Sequence, residues 1–279
     1  MSTPYESNHE VPCRDTFLSG ILAQADPNRR SKAIALILHG QMAHKNQIYH
    51  RKLVKALAEN RGIDSFRFDF AHAKYNQPGW VWHMAKIERD VEEMREVVLY
   101  LEQKLGYKVD LIIAHSKGGL ATWRYLASYP DPPRYAINLS SRYDMKEGGK
   151  RSFTQFFPAF EKQGYYDWKA KVAGQEITVR VTPDMFEEFI AYDTAFVNDQ
   201  TRFPNTTNIL VIHGDADTLV PLEDGKTYHQ ILSRRPGPGT NDMRIVKDAD
   251  HNFIGKYDEI VDIIMRWLDG KDIGIKGKL

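Results

Sequence analysis

Residues 110–120 read Asp110-Leu111-Ile112-Ile113-Ala114-His115-Ser116-Lys117-Gly118-Gly119-Leu120, and this stretch decides the architecture. A short apolar, β-rich run passes straight into a serine set among small residues, and a helical pattern follows at once. A strand that turns directly into a helix crowds its own backbone, so small residues are needed two before and two after the residue at the apex. Ala114 and Gly118 occupy those positions. Such a turn holds the serine hydroxyl outward. It also aims the start of the helix at that hydroxyl, with the Lys117 N–H where an anionic intermediate would develop. A Ser-x-Gly between strand and helix also serves as a plain packing turn, so its partners elsewhere in the chain must decide its meaning.

Strand-like and helix-like segments alternate on either side of this turn. The strand candidates are Ala33–Leu38, Ser65–Phe70, Asp110–Ala114, Tyr135–Leu139, Ile209–Ile212 and Met243–Val246. Ile87, Val91, Met94, Val98, Leu101 and Leu105 recur at spacings of three and four, which lays one apolar stripe along a helix that Gly106 can cap. Leu120–Tyr129 forms a second helix, stopped by Pro130, and Ile260, Ile264, Trp267 and Leu268 mark a third. This alternation implies an α/β fold: a mostly parallel sheet covered by helices on both faces.

One stretch, 142–200, breaks the rhythm and reads as an insertion. It holds twelve aromatic side chains and a β-like run at Glu176–Thr182. We expect a core of 1–141 and 201–279 carrying an aromatic-rich cap of 142–200. Most of these rings belong to the insertion's own packing, because aromatics dominate core energetics wherever they occur.

Composition excludes several classes. Thirty-eight basic residues stand against 37 acidic ones in a chain of 279, so no basic field exists to hold a phosphate backbone, and no nucleic-acid partner is expected. The longest apolar run is Ala33–Leu38, far short of the roughly 20 residues that span a bilayer, so no membrane span is expected. Residues 1–10 are polar and lack the apolar stretch of a secretory signal. Cys13 is the only cysteine, which rules out an intrachain disulfide and cysteine-paired zinc patterns. These features suit a cytoplasmic protein. The terminal Gly277-Lys278-Leu279 differs at one position from a peroxisomal Ser-Lys-Leu address. Oligomeric state is not legible in the sequence.

The partners of Ser116 lie downstream. After the Asn208–Ile212 run comes His213-Gly214-Asp215-Ala216-Asp217 followed by Val220-Pro221, and after the next strand comes Asp250-His251-Asn252-Phe253. Serine, acid and histidine each sit just past the C-terminal end of a predicted strand, where ligands of open parallel sheets bind. The strand Ala33–Leu38 ends in His39-Gly40-Gln41, and a glycine there lets the Gln41 N–H complete an oxyanion hole with that of Lys117. An isolated loop histidine is more often merely solvated than a base, but its place after the last strand favours the catalytic reading. Ser140 and Ser141 also end a strand, yet no helix start with small residues follows them.

On these motifs, together with Arg67-Phe68-Asp69-Phe70, the chain resembles the α/β-hydrolase fold family over residues 33–268. Within it, the chain is most similar to cytosolic serine esterases of the cinnamoyl and feruloyl esterase type, which carry an insertion in the same place. Of the two aspartates, the resemblance favours Asp217, four after His213 and just before Val220-Pro221, and leaves Asp215 to shape the turn. Two departures touch the substrate subclass. The glycine-rich segment usual after Asp-Phe reads Ala71-His72-Ala73-Lys74-Tyr75, and the residues after His39-Gly40 lack the usual aromatic and glycine.

The expected function is that of a serine hydrolase cleaving a small carboxylic ester through Ser116, His251 and Asp217, with no metal and no organic cofactor. Phenolic acyl groups are the natural guess within the resemblance, with Asp144, Tyr165, Tyr166 or Tyr192 as partners for a phenol hydroxyl. Thioesterase, lactonase, peptidase and acyltransferase chemistries share the same acyl-enzyme and stay open, as does a non-catalytic ligand-binding protein. A dinucleotide-binding oxidoreductase is set aside, because His39-Gly40-Gln41 and not G-x-G-x-x-G follows the first strand.

Overall fold

A computed structural model describes residues 3–14, 16–28, 32–73 and 82–271. Lys74, Tyr75 and the Gly277-Lys278-Leu279 tripeptide lie outside the described residues. Eight strands form one sheet in the order β1-β2-β4-β3-β5-β6-β9-β10. From β4 (Asp64–Phe68) through β3 (Ala33–Leu38), β5 (Lys108–His115), β6 (Tyr135–Leu139) and β9 (Asn208–Gly214) to β10 (Asn241–Val246), neighbours run parallel. All six expected strands are present: β3 and β6 have the expected ends, and the ends of the others differ by at most two residues.

Alternation of the buried residues explains the layers. In β3, Ala35 and Ile37 face a core shared with α1 (His50–Arg61) and α8 (Tyr257–Gly270). Ile34, Leu36 and Leu38 face the opposite core, with α2 (Ile87–Gln103) and α3 (Lys117–Ser128). A strand buried on both faces reads as a continuous apolar run, as these do. Helix α7 (Leu222–Leu232) packs beside α3 through Tyr228, Ile231 and Trp123.

The sequence reading missed an antiparallel hairpin, β1 (Tyr5–Cys13) and β2 (Thr16–Gln24), which extends the sheet beyond β4. Most of β1 is exposed, so selection on it for apolar residues is weak. Pro12 is tolerated on this edge strand.

The segment between β6 and β9 holds α4 (Lys146–Ser152), α5 (Phe156–Gln163), the antiparallel pair β7 (Tyr166–Val172) and β8 (Gln175–Val181), and α6 (Pro183–Ile190). The β-like run seen in the sequence is β8. Phe153, Phe156, Val181, Phe186 and Phe189 gather in an apolar cluster of their own, which rests on Trp82, Met84 and Leu120. Thr182 caps α6, accepting from the Met185 N–H, with Pro183 in the first turn.

Candidate active site

Ser116 sits at the junction of β5 and α3 with φ 54° and ψ −119°. A non-glycine residue held there costs on the order of 1–3 kcal/mol and persists only where its surroundings over-determine it. They do so here. The Ser116 N–H donates to the Leu139 carbonyl (2.8 Å), and its own carbonyl accepts from Ser141 Oγ (2.8 Å). Both glycines after it are spatial necessities. A Cβ on Gly118 would come 2.6 Å from the His39 carbonyl oxygen, and one on Gly119 would come 1.8 Å from Ser141 Oγ. The sharp turn therefore needs the sequence Ser-Lys-Gly-Gly to lodge between β3 and β6.

The two downstream loops converge on this serine. His251 Nε2 lies 3.0 Å from Ser116 Oγ, and its Nδ1 lies 2.8 Å from Asp217 Oδ2. The other carboxylate oxygen of Asp217 accepts the Leu219 and Val220 N–H groups (2.9 and 2.7 Å). Burial alone would raise this carboxyl, but hydrogen bonding from His213 and His251 and from the Val220 N–H holds it well below the ordinary carboxylate range. Asp215 points elsewhere: it accepts the Asp248 N–H (2.6 Å) and so ties the acid loop to the loop that carries His251. His115 is kept neutral by burial, and its Nε2–H donates to the His251 carbonyl (2.9 Å). The imidazole of His251 is thus fixed at both its ring and its backbone.

On the opposite side, the loop after β3 closes over Ser116. A Cβ on Gly40 would lie 2.9 Å from Ser116 Cβ, so only glycine permits this approach. His39 is fully buried and pushed down to about 3 by burial and by the nearby His72. The Phe70 N–H donates to its Nε2 (3.1 Å), and its Nδ1–H donates to the Gly40 carbonyl (2.8 Å). The carbonyl and N–H of a trans peptide point in opposite directions. With the Gly40 oxygen held by His39, the Gln41 N–H is turned the other way.

These groups border a cavity of about 210 Å³. Its lining includes Gly40, Gln41, Ser116, Lys117 and His251, the apolar Met84, Leu120, Phe153, Trp168, Phe189 and Leu219, and the polar Gln47, Arg142 and Asn252. The four substrate-binding candidates of the sequence reading are not among its lining residues. Asp144 pairs with Arg151 (2.9 Å) and accepts the Glu147 N–H. Tyr165 lies under the Arg180 guanidinium, Tyr166 packs on Phe156, and Tyr192 is half-buried against two apolar clusters, one around Phe153 and Phe186 and one around Trp123 and Tyr228. Each is engaged in packing or pairing within segment 142–200 or with its neighbours. The aromatics that do line the cavity, Phe153, Trp168 and Phe189, could not be picked out beforehand, because aromatics dense enough to form a core and aromatics facing a ligand look alike in sequence.

Arg142 was also missed. It is buried, and its Nη2 donates to Ser152 Oγ (2.8 Å) and to the Leu219 carbonyl (2.6 Å). It straps α4 to the loop that carries Asp217.

A model of the prolyl oligopeptidase family matches residues 42–271. The chain belongs to that family. It is a serine hydrolase with an α/β-hydrolase fold. Among curated proteins, the uncharacterized protein YDL057W of Saccharomyces cerevisiae is 25% identical over 81% of this chain and 70% of that one. Among solved structures, Est1E from Butyrivibrio proteoclasticus superposes with a TM-score of 0.68 at 17% identity, covering 94% of this chain and 97% of its own. The Pyrococcus furiosus esterase Pf2001 gives 0.67 at 18% identity, with 95% and 91% covered. At such identities these structures speak to the fold alone. Among the described residues, no helix is long and apolar enough to cross a membrane.

Proposed function

We propose that this serine hydrolase cleaves a small carboxylic ester through a Ser116–His251–Asp217 triad, with segment 142–200 acting as a cap over the site. The observation that carries this reading is the placement of one imidazole between the Ser116 hydroxyl and the Asp217 carboxylate, at 3.0 and 2.8 Å. Asp217 accepts Nδ1–H and so selects the tautomer whose Nε2 lone pair faces the serine. His251 then takes the Ser116 proton as Oγ adds to the ester carbonyl. The resulting oxyanion is met by the backbone N–H groups of Gln41 and Lys117. The first is turned toward it by the His39 contact, and the second stands in the first turn of α3, where N–H groups lack intrahelical acceptors. Collapse expels the alcohol with the proton from His251, and a water deprotonated by the same ring releases the acid.

The cavity's apolar walls and modest volume favour a compact, flat acyl group over a polymer. Est1E has been solved with ferulic acid bound, which supports an aromatic acyl group for this chain as well. Cys13, single and buried, suits a reducing compartment, and the cytoplasm is the corresponding location. The family description favours one alternative, a peptidase that uses the same triad. A panel of 4-nitrophenyl acetate, methyl hydroxycinnamates and a prolyl 4-nitroanilide separates the two. Turnover of the esters, lost in Ser116→Ala, supports the esterase; turnover of the anilide alone overturns it.

A further inference from the structure

Behind the elbow, α2 turns two carboxylates one helical step apart, Asp90 and Glu93, toward the short 3₁₀ turn Ala71–Ala73. Both are buried. Glu93 accepts the Ala71 N–H (2.7 Å), which pins the turn. Among the described residues Asp90 has two partners: Oδ2 lies 2.8 Å from Lys117 Nζ, and Oδ1 lies 3.1 Å from His72 Nδ1. Lys117 is itself buried and has no other polar partner for its ammonium among the described residues. His72 in turn stacks on Phe70 and meets His39 edge-on at 5.5 Å between ring centroids. His39 holds the Gly40 carbonyl. Both ends of this chain of contacts reach the peptide groups that face the substrate carbonyl in the reading above.

We propose that Asp90 is a positioning residue for the oxyanion donors: its single carboxylate braces Lys117 directly and the His39–Gly40 loop through His72. The proposal rests on the Ser116 hydrolase reading. A buried lysine side chain anchored by an ion pair cannot rotate away without stranding its charge, so the first residue of α3 is held in register with Ser116. The edge-to-face packing of His72 limits the tilt of His39 and hence of the Gly40–Gln41 peptide. Asp90 touches neither substrate nor reacting atoms in this scheme.

The test compares wild type with Asp90→Asn and with the double variant Asp90→Asn/Lys117→Met on a matched pair of aryl esters. One has a carbonyl oxygen and the other a sulfur in its place. Sulfur is larger and a weaker hydrogen-bond acceptor, so the ratio of kcat/KM for the oxygen and sulfur esters reports the oxyanion contacts, and a change in folded fraction leaves it unmoved. Misplaced donors predict a kcat on the oxygen ester lower by roughly tenfold to a hundredfold, with KM within about threefold. The oxygen-to-sulfur ratio should shrink in proportion. The double variant keeps the test open if the single one does not fold, because removing both members of a buried ion pair is tolerated better than removing one. A folded variant whose kcat and ratio match wild type overturns the proposal, and so does one whose kcat falls with the ratio intact. A wild-type enzyme that neither hydrolyses the oxygen ester nor takes a fluorophosphonate on Ser116 overturns the hydrolase reading instead.

Discussion

Asp217→Asn isolates the part of the account that depends on a single proton. In the native site, one oxygen of Asp217 accepts two backbone N–H groups, from Leu219 and Val220, and the other accepts His251 Nδ1–H. Asparagine has one oxygen and one NH₂. The oxygen will stay on the two backbone donors, because reversing the amide would set NH₂ against two N–H groups and forfeit both bonds. The NH₂ then faces Nδ1 and donates to it, which forces His251 into the tautomer that carries its proton on Nε2. That nitrogen can no longer accept the Ser116 proton. Shape is preserved, so KM and folding should change little. kcat should fall by on the order of 10³–10⁴, or about 4–5.5 kcal/mol of transition-state stabilisation. The assay is steady-state hydrolysis of 4-nitrophenyl acetate, with thermal unfolding as a control. A variant that folds like wild type and keeps more than roughly a tenth of its kcat would refute the tautomer argument.

Three further outcomes follow from the geometry. Gly40→Ala places a Cβ 2.9 Å from Ser116 Cβ and 3.2 Å from the His115 carbonyl oxygen; the displaced loop should cost about 1–3 kcal/mol of stability and roughly a hundredfold in kcat, read by urea unfolding and ester turnover. Trp168→Ala removes an aromatic wall of the cavity and should raise KM for a methyl hydroxycinnamate roughly tenfold while leaving the acetate ester within about threefold. For Asp90, burial opposes ionisation, but Lys117 and His72 outweigh it and bring the carboxyl down to about 2. A depressed carboxyl stabilises the fold above its unfolded value near 4 and loses that contribution as pH falls toward 2. Wild type should therefore lose on the order of 2 kcal/mol more than Asp90→Asn between about pH 5 and 2, and parallel urea midpoints across that range would contradict this.

What could be read from the sequence depended on how tightly physics constrains each residue. The elbow was legible because a strand-to-helix reversal admits only small residues where Ala114 and Gly118 stand; the structure adds Gly119, which lies against Ser141 and Asn138. The strands β3, β5, β6 and β9 were legible because they are buried on both faces and so are mostly apolar along their length. Edge strand β1 was not, since most of its residues are exposed and it carries little hydrophobic signal. In segment 142–200, the abundance of aromatics was plain but their directions were not: Phe153 and Trp168 turn to the cavity, whereas Tyr166 turns into the segment's own packing. Buried polar contacts between distant elements were hidden for another reason. Nothing local marks Arg142 as the strap to Leu219, or Lys117 and Asp90 as a pair across α2 and α3.

Everything proposed above depends on Ser116 being a nucleophile activated by His251. Intact-mass analysis after treatment with a fluorophosphonate tests it most directly, because the reagent traps an activated serine whatever ester the enzyme cleaves. A single adduct is expected on wild type, mapped by proteolysis to the peptide that contains Ser116, and none on Ser116→Ala. An adduct that persists at full yield on folded Ser116→Ala, or a folded wild type that takes none, would contradict it.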